Sequence, residues 1–301
     1  MSELALQYPL GRPIARAVAV RRQRHLPPGA RVLVAAGNQV LPEQPIAEVG
    51  QSSGGTVVLA GLAGVIAEVV PSQHVAIEGV ATLAQGIVGI GGAVVGPLVV
   101  LPRGESLAVV PIPRGGVILF PRHVPLTLLQ RAAAGGAAGI IAASASAREL
   151  EAFARADLTA LLDGPAALSA QVALTVVLTE GLGMRPMDPS MYQALGQRIH
   201  DTVLLTGTTQ PRDNVRPEVL LSLPLGTQAA RATADAADAA LIPGARALAR
   251  GGARSGMSGV ILHVFQRQQR TATGAFAAAA SVRFDDGSVE IVPLAALDRT
   301  N

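Results

Sequence analysis

Short apolar runs separated by turn residues fill the stretch from residue 14 to residue 115. They read IARAVAV from Ile14, ARVLVAAG from Ala30, TVVLAG from Thr56, GVIAEVV from Gly64, VAIEGVA from Val75, PLVVLP from Pro97 and LAVVPIP from Leu107. Pro27-Pro28-Gly29, Pro42 with Pro45, and Gly54-Gly55 stand between them. Such runs predict β-strands, and strands at this spacing predict a barrel or sandwich.

From Gly115 the period changes. Gly116–Phe120 and Ala138–Ala143 remain strand-like, but Pro125–Ala134 has helical spacing and stops at Gly135-Gly136. Ser146 with Glu149 makes a capping box, which predicts a helix running to Ala156. A strand over Val172–Leu178 follows, and Asp188-Pro189 opens another helix. Strands alternating with helices predict an open, mostly parallel α/β sheet. Thr202–Thr206 and Val219–Leu223 add two strands or a closing hairpin. Residues 226–241 are Ala-rich, a helix or a linker. The last unit has strands at Ala245–Ala249, Gly259–Phe265, Ala278–Phe284 and Val289–Val292, with a hairpin turn at Asp286-Gly287. The expected fold class is therefore α+β multidomain: an all-β unit over 1–114, an α/β unit over 115–225, the segment 226–241, and a small β unit over 242–301.

Composition removes several chemistries. The 301-residue chain has no cysteine or tryptophan, and all 24 of its basic residues are arginine. Schiff bases, P-loop phosphate binding, thiolate catalysis and disulfides are excluded. With only 2% aromatic residues, the cores must be built from Ala, Val, Leu and Ile. The net charge is +3, and the arginine excess concentrates in residues 1–31. The N-terminus MSELALQYPLGRP has no basic region followed by an apolar run, so no secretory signal is expected there. Gly79–Leu101 is an uncharged stretch of membrane-spanning length. Its repeated glycines, Pro97 and β-branched residues favour strands buried on both faces instead. The expectation is a cytoplasmic protein that does not enter the membrane.

Two local patterns carry resemblances. Val40–Glu48 followed by Leu62–Val69 resembles the hammerhead strands of lipoyl and biotinyl carriers, which implies a barrel-sandwich hybrid. Such carriers hold their cofactor on a lysine, and this chain has none, so the resemblance implies the shape without a cofactor. The glycine-rich start at Arg250, the Asp286-Gly287 turn and Val292-Pro293-Leu294 with Leu297 resemble a KOW or SH3-like barrel over 242–299. Together with Gly89–Leu98, Thr179–Met187 and Gly207–Glu218, the order of parts resembles a family of uncharacterised bacterial proteins. That resemblance spans most of residues 40–299 and implies no activity.

The most suggestive chemistry lies in Thr179–Met187, directly after a strand and before a capped helix. Ligands of α/β sheets gather beyond the carboxyl ends of strands. Gly181 and Gly183 would let backbone N–H groups approach an anion, with Thr179, Glu180 and Arg185 at the mouth and Glu180 the candidate acid or base. The alternative is a turn in which both glycines take positive φ and Glu180 pairs with an arginine. In Gly207–Glu218, Thr208, Thr209 and Gln210 could donate to an oxyanion, and Arg212 and Arg216 could clamp one. The alternative is a solvated connection whose arginines pair with Asp213 and Glu218.

The glycines of Gly86–Gly96 lack dinucleotide-loop spacing and are read as close strand packing. The five histidines lack metal-ligand spacing. Arg21, Arg22, Arg24 and His25 could touch phosphates but have no interleaved aromatics to stack bases. The arginines of the last unit are offset by Asp285, Asp286, Glu290 and Asp298. These observations point first to a non-enzymatic accessory protein acting through protein partners. An enzyme or sensor for a small anionic ligand comes second, and an RNA- or ribosome-associated protein third.

Overall fold

The computed structural model describes residues 14–50, 56–101, 110–163, 171–210, 215–229, 241–250, 254, 256–271 and 276–300. The β-branched runs of the first ninety or so residues form strands, as their spacing predicts. The first, β1 (Ile14–His25), pairs antiparallel along β7 (His74–Gln85). Between them lie β2 (Arg31–Val32), β3 (Gln39–Val40), β4 (Pro45–Val49), β5 (Thr56–Leu59) and β6 (Gly64–Val70). A three-stranded sheet is built in the order β2-β4-β5, while β3 pairs with β6 and β6 with β7. Val20, Val40, Ile46, Leu62, Ile66 and Ile77 share one core between these strands.

The chain leaves β7 through Gly86 and Ile87 and continues as β8 (Val88–Ile90) and β9 (Ala93–Val100). Then come β10 (Val117–His123), α1 (Leu126–Ala134), β11 (Gly139–Ser144), α2 (Ala147–Ala154), α3 (Leu158–Asp163) and β12 (Thr175–Leu178). Next are α4 (Pro189–Gly196), β13 (Thr202–Thr206) and β14 (Glu218–Ser222). The strands are ordered β7-β14-β13-β9-β10-β11-β12-β8. Only β9 to β12 run parallel; their neighbours on both sides are antiparallel. Because β7 and β8 are consecutive segments of chain, the path of neighbours returns to where it began. The molecule is thus mixed α+β, and the open, mostly parallel sheet expected from the alternation is corrected to a mixed one with a parallel centre. The boundary expected at 114/115 falls between β9 and β10, which pair in register from Leu98 opposite Val117.

Strand alternation gives this sheet two buried faces. Ile118, Phe120, Ile140, Ala142, Val176 and Leu178 pack under Leu128 and Leu129 of α1, Leu150 of α2 and Leu161 of α3. Val117, Leu119, Ile141, Ala143 and Val177 face the other way, against Leu205, Val219, Leu221 and the α4 residues Met191 and Leu195. Strands buried on both faces read as uncharged runs. Gly79–Leu101 is such a run: it supplies the end of β7, β8 and β9, and no helix among the described residues is long and apolar enough to cross a membrane. Its glycines are there for contact. A Cβ on Gly96 would stand 2.1 Å from the carbonyl oxygen of Gly115, and one on Gly89 2.6 Å from that of Gly207.

The last unit comprises β15 (Arg246–Ala249), β16 (Ser258–Val264), β17 (Gln269–Arg270), β18 (Phe276–Ala277), β19 (Ala279–Phe284), β20 (Val289–Pro293) and β21 (Leu297–Arg299). Five of these strands form an antiparallel sheet in the order β20-β19-β16-β15-β21 around Ile261, Val282, Phe284 and Leu297. A 3-10 turn, Leu294–Ala296, joins β20 to β21. Most of the Ala-rich segment 226–241 lies outside the described residues.

Candidate functional site

The carboxyl ends of β10, β11 and β12 come together where the sequence places its first candidate loop. The backbone of Thr179 and Glu180 extends the parallel ladder by donating to the carbonyls of Ala142 and Ala143, at 3.0 and 2.7 Å. Gly181 and Gly183 then adopt φ of +75° and +126°, as the alternative reading of a turn requires. Beyond the ladder, the loop is stapled to the strand ends by side chains. Ser144, fully buried at the end of β11, donates its hydroxyl to the Arg185 carbonyl (2.9 Å) and accepts the Arg185 N–H (3.0 Å). His123, at the end of β10, places Nδ1 2.9 Å from the Gly183 carbonyl and Nε2 2.9 Å from Glu149 Oε2. Partial burial works to raise the Glu149 carboxyl, but its hydrogen bonds from Ser146 and the charge of His123 hold it below the usual range.

The loop ends in the predicted cap. Asp188 accepts the N–H groups of Ser190 (2.9 Å) and Met191 (3.3 Å) at the start of α4. The Ser190 hydroxyl, against partial burial, holds the Asp188 carboxyl below its usual range, helped by the α4 backbone and the charge of Arg250.

Glu180 is only 6% exposed, and both its oxygens are occupied. One accepts the Asp188 N–H at 3.1 Å; the other accepts Arg250 Nη1 at 2.9 Å. Arg250 also donates Nε to Asp298 Oδ2 at 2.7 Å, and Asp298 Oδ1 accepts Arg216 Nη1 at 3.0 Å. Arg216 reaches further, to the carbonyls of Leu294 and Leu297 at 2.8 and 2.6 Å. Burial alone would lower the Arg250 guanidinium; Asp298 first and Glu180 second raise it instead. The result is a continuous chain, Glu180–Arg250–Asp298–Arg216, crossing from the mixed sheet into the five-stranded one. Arg185 also approaches that unit: a Cβ on Gly256 would stand 3.0 Å from its Nη2.

The second candidate stretch divides. Thr209 is buried and clips the backbone of Gly89, accepting its N–H at 2.7 Å and donating to its carbonyl at 3.0 Å. Gln210 exchanges two backbone bonds with Val215, both 3.0 Å, and Thr208 is half-buried nearby. Arg212 lies outside the described residues, as does Asp213. Arg216 does not pair with Glu218, as the solvated reading expected; Glu218 is taken by Arg22 at 2.7 Å. The structure therefore joins Glu180 and Arg216 through two residues that sequence reasoning did not connect to them. Arg250 and Asp298 were visible only as offsetting charges of the last unit, and nothing local marks their partners.

Comparison with known proteins yields no match: no family model fits the chain, and no curated protein or solved structure is similar to it.

The basic cluster on β1 is largely neutralised by the strands it packs on. Arg21 pairs with Glu68 (2.8 Å) and Glu78 (3.0 Å), and Arg22 with Glu218. Arg24 is buried, donates to the Leu59 carbonyl at 3.2 Å, and is pushed down to about 10 by desolvation. Among the described residues no group of three or more His, Asp or Glu is placed to hold a metal. What the stapled loop leaves outward is apolar: Leu182 is 41% exposed and Met184 79%.

Proposed function

We propose that this chain is a non-enzymatic accessory protein that acts by binding other proteins. The observation carrying this reading is the buried ion chain. The acid and the clamp arginine that could have served a ligand, Glu180 and Arg216, are instead committed to joining two units of the fold. A general base must reach a substrate proton within hydrogen-bond distance; both Glu180 oxygens already accept bonds from the protein. In this reading β1 to β7 are a barrel-sandwich hybrid without an acceptor lysine, and β15 to β21 an SH3-like barrel. Both serve as frames for surfaces. The loop between β12 and α4, fastened by Ser144 and His123, holds Leu182 and Met184 toward solvent as a rigid apolar contact.

The test is photocrosslinking of the full chain with p-benzoylphenylalanine at position 184, in lysate of the native cells. The expected result is a recurrent protein conjugate that disappears with Leu182→Ser and is not formed from position 16. Absence of a recurrent conjugate overturns the reading. So does a turnover activity that Glu180→Gln abolishes while leaving the melting temperature unchanged.

A further inference from the structure

Seven arginines of residues 241–300 face four acids, a balance that by count alone looks only mildly basic. The ion pairs distribute it unevenly. Asp285 takes Arg246, Asp286 and Glu290 both take Arg254, and Asp298 takes Arg250 together with Arg216 from outside the unit. All four acids are thereby engaged at β15, the β19–β20 turn and the joint with the mixed sheet. Arg267, Arg270 and Arg283 are exposed and make no ion pair among the described residues.

Register shows where Arg283 points. Val260, Arg283 and Val289 are directly opposite one another across β16, β19 and β20, and so are His263, Ser281 and Ile291. Residues opposite in register share a face, and Arg283 and Ser281, two apart on β19, share it too. The buried set Ile261, Val282 and Phe284 faces the other way. Phe265 meets His263 edge-on at 4.9 Å between ring centroids, extending this outer face. It leads toward the β16–β17 connection, where Arg267 is exposed and Arg270 stands opposite Phe276, itself 51% exposed. Glu290, the one acid on these three strands, is opposite Val282 on the inward side and engaged with Arg254. The outer face thus sets unpaired Arg283 among Val260, Val289 and Ile291, while Arg246, opposite Val260, cancels Asp285, so the face keeps a net positive charge that Arg267 and Arg270 extend along the chain.

We propose that this face is a docking surface for an acidic segment of a partner protein in which carboxylates alternate with aliphatic residues. Charge complementarity fixes the sign of the partner, since unpaired arginines steer and orient carboxylates. The aliphatic rows decide its class. Val260, Val289 and Ile291 suit a peptide's apolar side chains, whereas the rings nearby, His263 set edge-on to Phe265 and Phe276 beyond them, do not form the run of parallel platforms on which successive bases of a single strand stack. The proposal deepens the accessory-protein reading and rests on it only in taking the partner to be a protein.

Fluorescence anisotropy tests it with the full chain and a labelled twelve-residue peptide alternating Glu with Leu or Val. A Lys-for-Glu version of that peptide and a labelled twelve-nucleotide oligouridylate are the comparison probes. The expected result is saturable binding of the acidic peptide alone, weakened about tenfold or more by Arg283→Glu and by Arg270→Glu. Arg16→Glu, on β1 and outside the five-stranded unit, leaves it within about twofold, because a charge off the docking face acts only through a screened field. All three substitutions are at exposed positions, and unchanged circular dichroism spectra show that the variants fold. No binding of the acidic peptide, equal binding of the basic one, or equal weakening by Arg16→Glu overturns the proposal. Tighter binding of the oligonucleotide overturns it too and assigns the face to nucleic acid. Peptide binding can fail while crosslinking from position 184 succeeds, and the reverse, so the two readings are judged separately.

Discussion

Asp298 is the residue on which the buried chain turns, because each of its oxygens holds a different guanidinium, Arg216 at 3.0 Å and Arg250 at 2.7 Å. Its side chain is 3% exposed and that of Arg216 2%, so water cannot replace either partner. Asp298→Asn keeps the shape and removes the charge, leaving Arg216 with only carbonyl oxygens. Breaking a buried pair by deleting one partner costs about 3–5 kcal/mol. The urea midpoint is therefore expected to fall by more than about 1 M, given slopes of about 1–3 kcal/mol/M. A shift below about 0.3 M would show that the pair carries no net stability. At this scale the sequence was half legible. A carboxylate directly after an apolar strand needs a partner, so Glu180 stood out as either a site or a pair. Its arginine lies 70 positions away, and no local period points to it.

Strands, helices and caps are decided by neighbours within a few residues, and these elements follow the sequence closely. The Ser146–Glu149 capping box and the Asp188–Pro189 helix start both form as their spacing dictates. Strand neighbours are a different matter, because pairing is chosen among all available edges. Residues 88–100 read as a continuation of the strands before them, yet β9 lies between β10 and β13, both later in the chain. The one local trace of that placement is glycine. On β9, Gly96 sits opposite Val203 and so close to the Gly115 carbonyl that a Cβ would stand 2.1 Å away. Gly96→Val must push backbone apart at the centre of the sheet, and overpacking of this kind costs about 1–3 kcal/mol or more. We expect a melting temperature lower by several degrees, or loss of soluble protein. Gly196→Ala, at the end of α4 with no atom within 4 Å of the added Cβ, is expected to change the melting temperature little. Equal effects of the two substitutions would contradict the close-approach account.

At the scale of the whole molecule, changes in period marked the mixture of strands and helices, but not that a sheet would run across residues 114/115 or that the five-stranded sheet would be bolted to it. The bolt is electrostatic, and Arg250 is its midpoint. On one side its guanidinium meets Glu180, beyond β12; on the other it meets Asp298, on β21. A joint made of charges that stay paired only when both units are folded couples their unfolding, so the intact chain is expected to melt in one calorimetric transition. Arg250→Met combined with Arg216→Met fills much of the same volume and removes both guanidinium links between the units. It strands Glu180, 7% exposed in its side chain, with the Asp188 N–H as its remaining bond, and leaves Asp298 without either guanidinium. Each unit then retains its own apolar core and loses the ion pairs that depended on the other. Differential scanning calorimetry of this double variant should resolve two transitions, the lower one belonging to the five-stranded unit with its smaller core. That assignment is checked by amide hydrogen exchange, in which β16 and β19 should lose protection before β10 and β11. A variant that still melts in a single transition, merely shifted downward, would mean that apolar contact alone couples the units and that the ion chain only adds to it.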